Sequence, residues 1–251
     1  MSGLILILPA TALAVLITAF LSGIFGMLGG VVLLGLLLAV LPVPAAMSLH
    51  AVTQMASTGW RAWLWRRYVR WQVLPGYAAG SLASFALFTA LGLVLGKAWV
   101  YLGLGLTPFL AAALPVRWAP DITRRGMPLL CGALVTGLQL LAGVAGTLLD
   151  VFFLRSNLDR RTVVATKALT QVLGHGLKLA YFAPLAMTEG EGVAGALYAV
   201  AIVCALAGNS LGQRLLERMS DRQFRRWSQG FTLALGAFYL VQGVQAMLAE
   251  P

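Results

Sequence analysis

The sequence predicts an all-α polytopic membrane protein with about eight to ten transmembrane helices, two of them short or broken. Of its residues, 60% are hydrophobic and only 10% are charged, whereas about a quarter are charged in an ordinary soluble domain. No Asp, Glu, Lys or Arg precedes Arg61, and four further runs lack charge: 71–96, 126–149, 192–213 and 227–249. Each run is long enough to cross roughly 30 Å of hydrocarbon as a helix of about 20 residues. The runs are apolar on all sides, whereas barrel strands alternate in polarity, so helices are favoured.

Ten helical segments are predicted by dividing the chain at its glycine-rich stretches, prolines and polar turns. They cover 3–23, 26–41, 44–66, 71–95, 97–115, 125–142, 144–156, 160–184, 191–215 and 227–249. The second and seventh segments are short for full spans, and re-entrant loops are the alternative for them. The first segment is expected to be a retained helix rather than a cleaved signal peptide, because it lacks a basic start.

The net charge of +10 reflects membrane topology rather than nucleic-acid binding, because the basic residues form short clusters between apolar runs. Ten crossings bring the arginine clusters to one face of the membrane, which the positive-inside rule assigns to the cytoplasm. We therefore expect a multi-pass protein of the bacterial inner membrane, in contact with lipid, with both termini outside. Tryptophans near the first cluster predict an interfacial belt: Trp60, Trp63, Trp65 and Trp71. Cys131 and Cys204 are interpreted as core residues, with no metal or disulfide partner.

An internal repeat becomes visible when the sequence is shifted by 117 residues. The shift pairs Gly26 with Gly143, Gly29 with Gly146, Thr53 with Thr170, Gln54 with Gln171 and Arg61 with Lys178. We predict two repeats, 1–116 and 117–251, within one transmembrane domain. The copies are five crossings apart, and because five is odd they are expected to be inverted in the membrane. Inverted repeats are typical of transporters with a substrate site near the midplane.

A glycine-rich break occurs in each repeat and is a candidate ligand site. The first contains Gly26, Gly29 and Gly30, and the second contains Gly143, Gly146 and Thr147. Glycine allows the backbone to approach a ligand, and the helix that starts at each break directs free N–H groups and a positive dipole end toward it. An anion between two such ends would be stabilised. The alternative is that the glycines only allow close helix packing.

A polar face follows each break. His50, Thr53, Gln54 and Ser57 share one helix face in the first repeat, and Lys167, Thr170 and Gln171 repeat it in the second. Polar groups at membrane depth need partners, so these faces are predicted to line a hydrated cavity and to bind an oxyanion. The alternative is that Thr and Gln only join helices by hydrogen bonds.

Charged residues near these faces are candidates for gating or coupling. Asp150 is expected to pair with Lys167 or Lys178, as a structural ion pair or as a proton-coupling site. Arg61 and Lys178 lie one turn beyond the polar faces and are candidates for guarding the two mouths, with snorkelling toward headgroups as the simpler account. His50 is a candidate proton relay or a structural hydrogen-bond donor, and His175 lies one turn before Lys178.

The sequence resembles the sulfite exporter TauE/SafE family of bacterial membrane permeases. The resemblance rests on the run Gly23, Gly26, Gly29 and Gly30, an apolar stretch ending in Pro, a polar-lined third helix and a degraded second copy in which Thr147 replaces the last glycine. It spans nearly the whole chain. The resemblance implies transport of sulfur-containing anions such as sulfite, sulfoacetate or other organosulfonates, usually in the export direction.

These observations together predict a secondary transporter of a small anion, with no cofactor and no metal, working by alternating access between the repeats. No Walker-type loop is present, so a gradient is expected to supply the energy, with protons coupled through Asp150 or His50. Three alternatives are an anion channel, a membrane subunit without transport of its own, and an intramembrane enzyme using His50, His175 or Asp150. The enzyme is disfavoured because no nucleophile, base and orienting acid share one helix face.

Overall fold

The computed structural model describes residues 2–25, 27–190, 192–216, 218 and 221–249, and these residues form ten α-helices and no strand. The all-helical prediction is therefore confirmed. In chain order the helices are α1 Ser2–Phe25, α2 Leu28–Val40, α3 Val43–Leu64, α4 Leu74–Leu91, α5 Lys97–Ala113, α6 Met127–Ala142, α7 Gly146–Phe153, α8 Arg160–Thr188, α9 Gly195–Leu216 and α10 Asp221–Ala249.

Prolines and glycines set several helix ends within a few residues of the predicted boundaries. Helix α3 starts with Pro44 in its first turn, where the missing N–H costs nothing. Helix α4 starts in the same way at Leu74, after a short 3₁₀ turn, and ends at Gly92, whose φ of 61° is a left-handed cap. The largest difference is in α10, which begins at Asp221 rather than at 227 because the helix continues through a charged segment.

Three helical segments are long and apolar enough to cross a membrane by length and composition: Trp71–Leu91, Gly195–Leu215 and Gly230–Ala249. Three shorter apolar segments accompany them: Pro9–Phe25, Leu28–Val40 and Met127–Ala142. The chain is thus a multi-pass membrane protein. Helix α2 has 13 residues and α7 has eight, so at 1.5 Å per residue they are about 20 Å and about 12 Å long, shorter than the hydrocarbon core.

Four helix pairs form the framework of the fold: α1 with α9, α4 with α6, α3 with α8, and α5 with α10. Small residues allow these helices to approach closely. A Cβ atom on Gly80 would overlap the Leu129 carbonyl, and one on Gly212 would overlap the Phe20 carbonyl. In the fourth pair, a Cβ on Gly236 would lie 3.1 Å from the Gly105 carbonyl oxygen. Van der Waals contact between backbones replaces the hydrophobic effect, which does not drive helix association within lipid.

Helices α3 and α8 lie at the centre of the fold and carry most of the buried polar residues that the structure describes. His50, Gln54, Thr170, His175 and Lys178 are all buried. Large apolar side chains on the outer helices are exposed instead, as on a surface that contacts lipid: Leu87, Leu110, Leu134, Val203 and Phe238. The predicted polar faces are therefore in the interior of the bundle.

The loops between α3 and α4, α5 and α6, and α7 and α8 gather at one end of the molecule, here called the arginine-rich face. Arg155 donates to the Arg117 carbonyl oxygen at 2.9 Å, and Arg161 donates to the Tyr68 hydroxyl at 3.1 Å. Asp159 caps α8 by accepting hydrogen bonds from the Thr162 hydroxyl and from two backbone N–H groups. These bonds, led by the one from the Thr162 side chain, lower the pKa of the Asp159 carboxyl.

Candidate anion-binding site

A cavity of about 940 Å³ lies between the central helices and reaches the arginine-rich face. Arg160 and Arg161, at the exposed start of α8, form part of its lining. Arg61 and Lys167 also line it, so that among the described lining residues four cationic side chains accompany one carboxylate, that of Asp150. The excess of positive charge favours anions over cations in the cavity.

A recess of about 30 Å³ adjoins this cavity and is lined mainly by polar side chains. Five residues line both spaces: Ser22, Met27, Arg61, Val144 and Gln171. The recess also contacts the predicted residues Gly30, His50, Gln54, Ser57 and His175. The two polar faces of α3 and α8 therefore meet at Gln54 and Gln171, beside the large cavity.

Arg61 is held at the junction of the cavity and the recess by groups on two other helices. Its Nη2 donates to the Ser22 carbonyl oxygen at 3.2 Å and to Asn209 Oδ1 at 3.1 Å. Asn209 is itself fixed by donating to the Ser57 carbonyl oxygen at 3.4 Å. Both hydrogen bonds that Arg61 donates within the described part of the chain use Nη2, so among these residues Nη1 and Nε have no acceptor and can donate to a ligand.

Asp150 and Lys167 form a salt bridge on the cavity wall, which agrees with one of the two pairings predicted for Asp150. The Asp150 side chain is 45% exposed and that of Lys167 is 23% exposed, so both are accessible from the cavity. An anion entering the cavity would therefore meet a lysine whose charge is already balanced. Thr147, one turn before Asp150, lines the same wall.

Lys178 is fully buried and lies behind His50, which lines the recess. Its Nζ donates to His50 Nδ1 at 2.7 Å and to the Gly143 carbonyl oxygen at 3.0 Å. His50 Nε2 contacts the Gly30 carbonyl oxygen at 3.0 Å, so this nitrogen carries the ring proton and Nδ1 is the acceptor for Lys178. One chain of hydrogen bonds thus joins the two glycine breaks through α3 and α8. Lys178 reaches neither face of the molecule, so the snorkelling interpretation does not describe it.

His175 contacts the recess and is positioned by a residue of α6. Gln139 Nε2 donates to His175 Nδ1 at 2.7 Å, which leaves Nε2 as the protonated ring nitrogen. The His175 ring meets the His50 ring edge to face, with centroids 5.7 Å apart. The recess therefore has imidazole, amide and hydroxyl groups around it.

The glycines of the breaks have different roles. Gly29 packs against α1, where a Cβ atom would lie 2.5 Å from the Ser22 nitrogen, and Gly30 leaves room for Gln54, at 3.0 Å. Gly143 has φ of 76° and ends α6. A Cβ on Gly146 would overlap the Met27 side chain, so Met27, next to the start of α2, packs against the start of α7. Gly26 lies outside the described residues.

Thr53 and Thr170 do not line either cavity. The Thr53 hydroxyl donates to the Leu49 carbonyl oxygen at 2.8 Å, and the Thr170 hydroxyl donates to that of Lys167 at 2.9 Å. Both hydroxyls are thus satisfied within their own helices. The part of the chain that the structure describes contains no group of three His, Cys, Asp or Glu residues that could hold a metal ion.

The family described as sulfite exporter TauE/SafE matches residues 11–239 of the chain, nearly its whole length. The chain belongs to the sulfite exporter TauE/SafE family. No curated protein and no solved structure gave a significant match. TauE/SafE proteins are membrane transporters rather than enzymes, and they export sulfite and related anions. The cationic cavity is consistent with a small anionic substrate in this TauE/SafE protein.

Three contributors to the site were missed from the sequence. Asn209 positions Arg61, and Gln139 positions His175, but each lies in a mainly apolar helix, and no repeat or motif distinguishes it. Trp65 lines the cavity, whereas its predicted companions Trp63 and Trp71 are each 60% exposed. Asn209 and Gln139 could have been identified from the sequence as polar residues at membrane depth, because such residues need a hydrogen-bond partner.

Proposed function

We propose that this TauE/SafE protein is a secondary exporter of small sulfur-containing anions, such as sulfite, sulfoacetate or other organosulfonates. The observation that carries the proposal is a cation-rich cavity that narrows into a polar recess between Gln54 and Gln171. Amide, imidazole and hydroxyl groups donate to the oxygens of a sulfite or sulfonate group, and Arg61 balances its charge.

The adjacent starts of α2 and α7 support an anion rather than a neutral substrate. Each helix start has unpaired N–H groups and a positive dipole end. Met27 and Val144, beside these two helix starts, line both the cavity and the recess. Two helix dipoles and the guanidinium of Arg61 then act on the same ligand, as in other anion sites built at helix N-termini.

An inverted repeat of residues 1–116 and 117–251 is supported by the helix packing. The counterpart of each helix lies five helices away along the chain, so α1 corresponds to α6 and α9 corresponds to α4. The contact between α1 and α9 and the corresponding contact between α6 and α4 both occur. The packing of α2 on α10 likewise becomes that of α7 on α5, and both occur. In the α3/α8 and α5/α10 pairs, each helix packs against its own counterpart. This relation is expected of two copies of one unit around a common axis.

A carrier is favoured over a channel because the cavity is accessible at one end and closed at the other. The hydrogen bonds from Lys178 to His50 and to Gly143 close the end away from the arginine-rich face. In the proposed cycle, relative motion of the repeats breaks this chain and opens the opposite end. We assign the arginine-rich face to the cytoplasm of a bacterial inner-membrane protein, with both termini outside.

Asp150 is the proposed site of proton coupling. Its carboxylate neutralises the charge of Lys167. Protonation of Asp150 would break this ion pair and allow Lys167 to bind the substrate anion. A bound anion would in turn favour protonation of Asp150. Binding of the two ligands is then coupled at one pair of side chains. No Walker-type loop is present, so an ion gradient is the proposed source of energy.

Flux of labelled sulfite and sulfoacetate in proteoliposomes tests the proposal. We expect Gln54→Ala and Gln171→Ala each to reduce flux about tenfold or more, since each removes a donor to the anion. Gln245→Ala is a matched control, because Gln245 is an exposed residue of α10 that lines neither cavity. Unchanged flux in both site variants would reject the site. Flux that neither saturates nor exchanges against internal anion would indicate a channel.

Cysteine labelling tests the proposed topology. Tyr68→Cys, in a background without Cys131 and Cys204, introduces a thiol at an exposed position of the arginine-rich face. We expect a membrane-impermeant maleimide to label it only after the cells are opened. Labelling in intact cells would place this face outside and would overturn the orientation.

A further inference from the structure

The cavity has two chemically different walls. Helices α3, α7 and α8 supply its charged side chains, among them Arg61, Asp150 and Lys167. Helices α5 and α10 supply mainly apolar ones, among them Leu104, Pro108, Leu233 and Leu235. A cavity for a hydrated inorganic ion has no need of an apolar wall.

We infer that the substrate of this site is an organic anion with one compact charged head and an apolar body of several carbons. The head lies in the polar recess and the body lies along the α5 and α10 wall. This inference rests on the proposed function and specifies the substrate class within it.

The recess limits the charged part of the ligand to one small group. Its volume is about 30 Å³, enough for one or two water-sized groups. Its donors converge from α3 and α8, with Gln54 and Ser57 on one side and Gln171 and His175 on the other. A single sulfonate head can insert its oxygens there, and the rest of the molecule then lies in the larger cavity beside the apolar wall.

The volume of the cavity supports a ligand larger than sulfite. At about 940 Å³, it is near the upper end of the roughly 300–1,000 Å³ that is typical of sites for organic ligands. A bare oxyanion in the recess leaves the apolar wall in contact with water. A hydrocarbon body removes that wall from water, and burial of each methylene stabilises the complex.

The inference is tested with methanesulfonate, propanesulfonate and hexanesulfonate, whose head is constant while the chain lengthens. Affinity is measured by calorimetry on the protein in lipid nanodiscs. We expect the dissociation constant to fall about two- to fourfold per methylene, from the transfer free energy of a methylene group. Hexanol, which has the body without the head, is expected not to displace hexanesulfonate.

Two tryptophan variants assign the chain-length effect to this cavity. Ala112 and Ala113 are both exposed near the end of α5, but only Ala112 lines the cavity, and Ala113 lines neither space. We expect Ala112→Trp to weaken hexanesulfonate about tenfold and to leave methanesulfonate within twofold, because the indole occupies the space of the body. Ala113→Trp is the matched control and should change neither affinity.

Each outcome separates the inference from the function on which it rests. If sulfite and methanesulfonate bind but affinity is independent of chain length, the apolar wall has no role and the inference fails while the anion site stands. A chain-length effect that is equal in Ala112→Trp reflects partition into lipid and also overturns the inference. If none of these anions binds, the proposed function itself fails.

Discussion

Arg61 and Lys178 occupy matching positions of the two proposed repeats, 117 residues apart, yet their surroundings are opposite. Arg61 lines the cavity and the recess and has donors available to a ligand. Lys178 is fully buried and directs its amine at His50 and Gly143. The difference shows that residues matched by the sequence shift need not share an environment: one cation is accessible from the cavity and the other is enclosed.

The largest expected difference between the halves concerns stability, at the matching positions 50 and 167. His50→Ala removes the acceptor of Lys178 and the donor to Gly30, and leaves a buried cavity. We expect a loss of about 2–4 kcal/mol in the free energy of unfolding. Lys167→Ala removes only an accessible salt bridge and should cost less than about 1 kcal/mol.

Denaturation of each variant by titration with SDS measures both losses. Equal losses in the two variants would show that the buried chain of hydrogen bonds is no more important for stability than the accessible pair. That result would remove the contrast between the halves.

The second prediction separates substrate affinity from turnover. Arg61→Met should raise the KM for anions presented at the arginine-rich face by about ten- to a hundredfold, the value of one charge-assisted hydrogen bond. Lys178→Met should leave that KM within about twofold and lower the maximal rate, because Lys178 touches only the closed end. Initial rates in oriented proteoliposomes give both parameters. An unchanged KM in Arg61→Met would contradict the assignment.

A smaller effect is expected at Asn209, which positions Arg61 without lying in the recess. Asn209→Ala should raise the KM about three- to tenfold, because the guanidinium loses one of its two anchors. Combined with Arg61→Met it should add nothing, since the two residues act through one group. Additive effects in the double variant would mean that Asn209 contacts the substrate independently.

The smallest effect concerns attraction of the anion toward the cavity. Raising the ionic strength from about 0.01 M to about 0.15 M shortens the Debye length from roughly 30 Å to roughly 8 Å. We expect a two- to fivefold rise in the KM, and expect the double variant Arg160→Gln with Arg161→Gln to lose most of this salt dependence. A salt dependence that persists in the double variant would assign the attraction to Arg61 and Lys167 instead.

The fold was largely predictable because lipid restricts the options. Charge-free runs and glycine or proline breaks located all ten helices that the described residues contain, and the main error was the start of α10 at Asp221. That boundary was missed because the charged segment after Asp221 has no apolar pattern, although it continues the helix.

The candidate site was predictable at residue types that the repeat duplicates, such as Gln54 and Gln171, which meet at the recess. The site was less predictable for hydroxyl side chains, which can donate to a carbonyl oxygen of their own helix instead of lining a cavity. Thr53 and Thr170 share the polar faces but donate to their own helices. The choice between a cavity and a backbone carbonyl depends on the rotamer, which sequence spacing does not specify. The role of each site residue in transport stays a prediction.

The crossing of α5 and α10 at Gly105 and Gly236 has a mechanical consequence. These two helices belong to different proposed repeats, and at their crossing the two glycine backbones touch while the side chains of Phe109 and Leu240 pack beside them. Because a Cβ atom on either glycine would lie within 3.0 Å of an atom on the other helix, the crossing holds the two helices that form the apolar wall at a short, fixed separation.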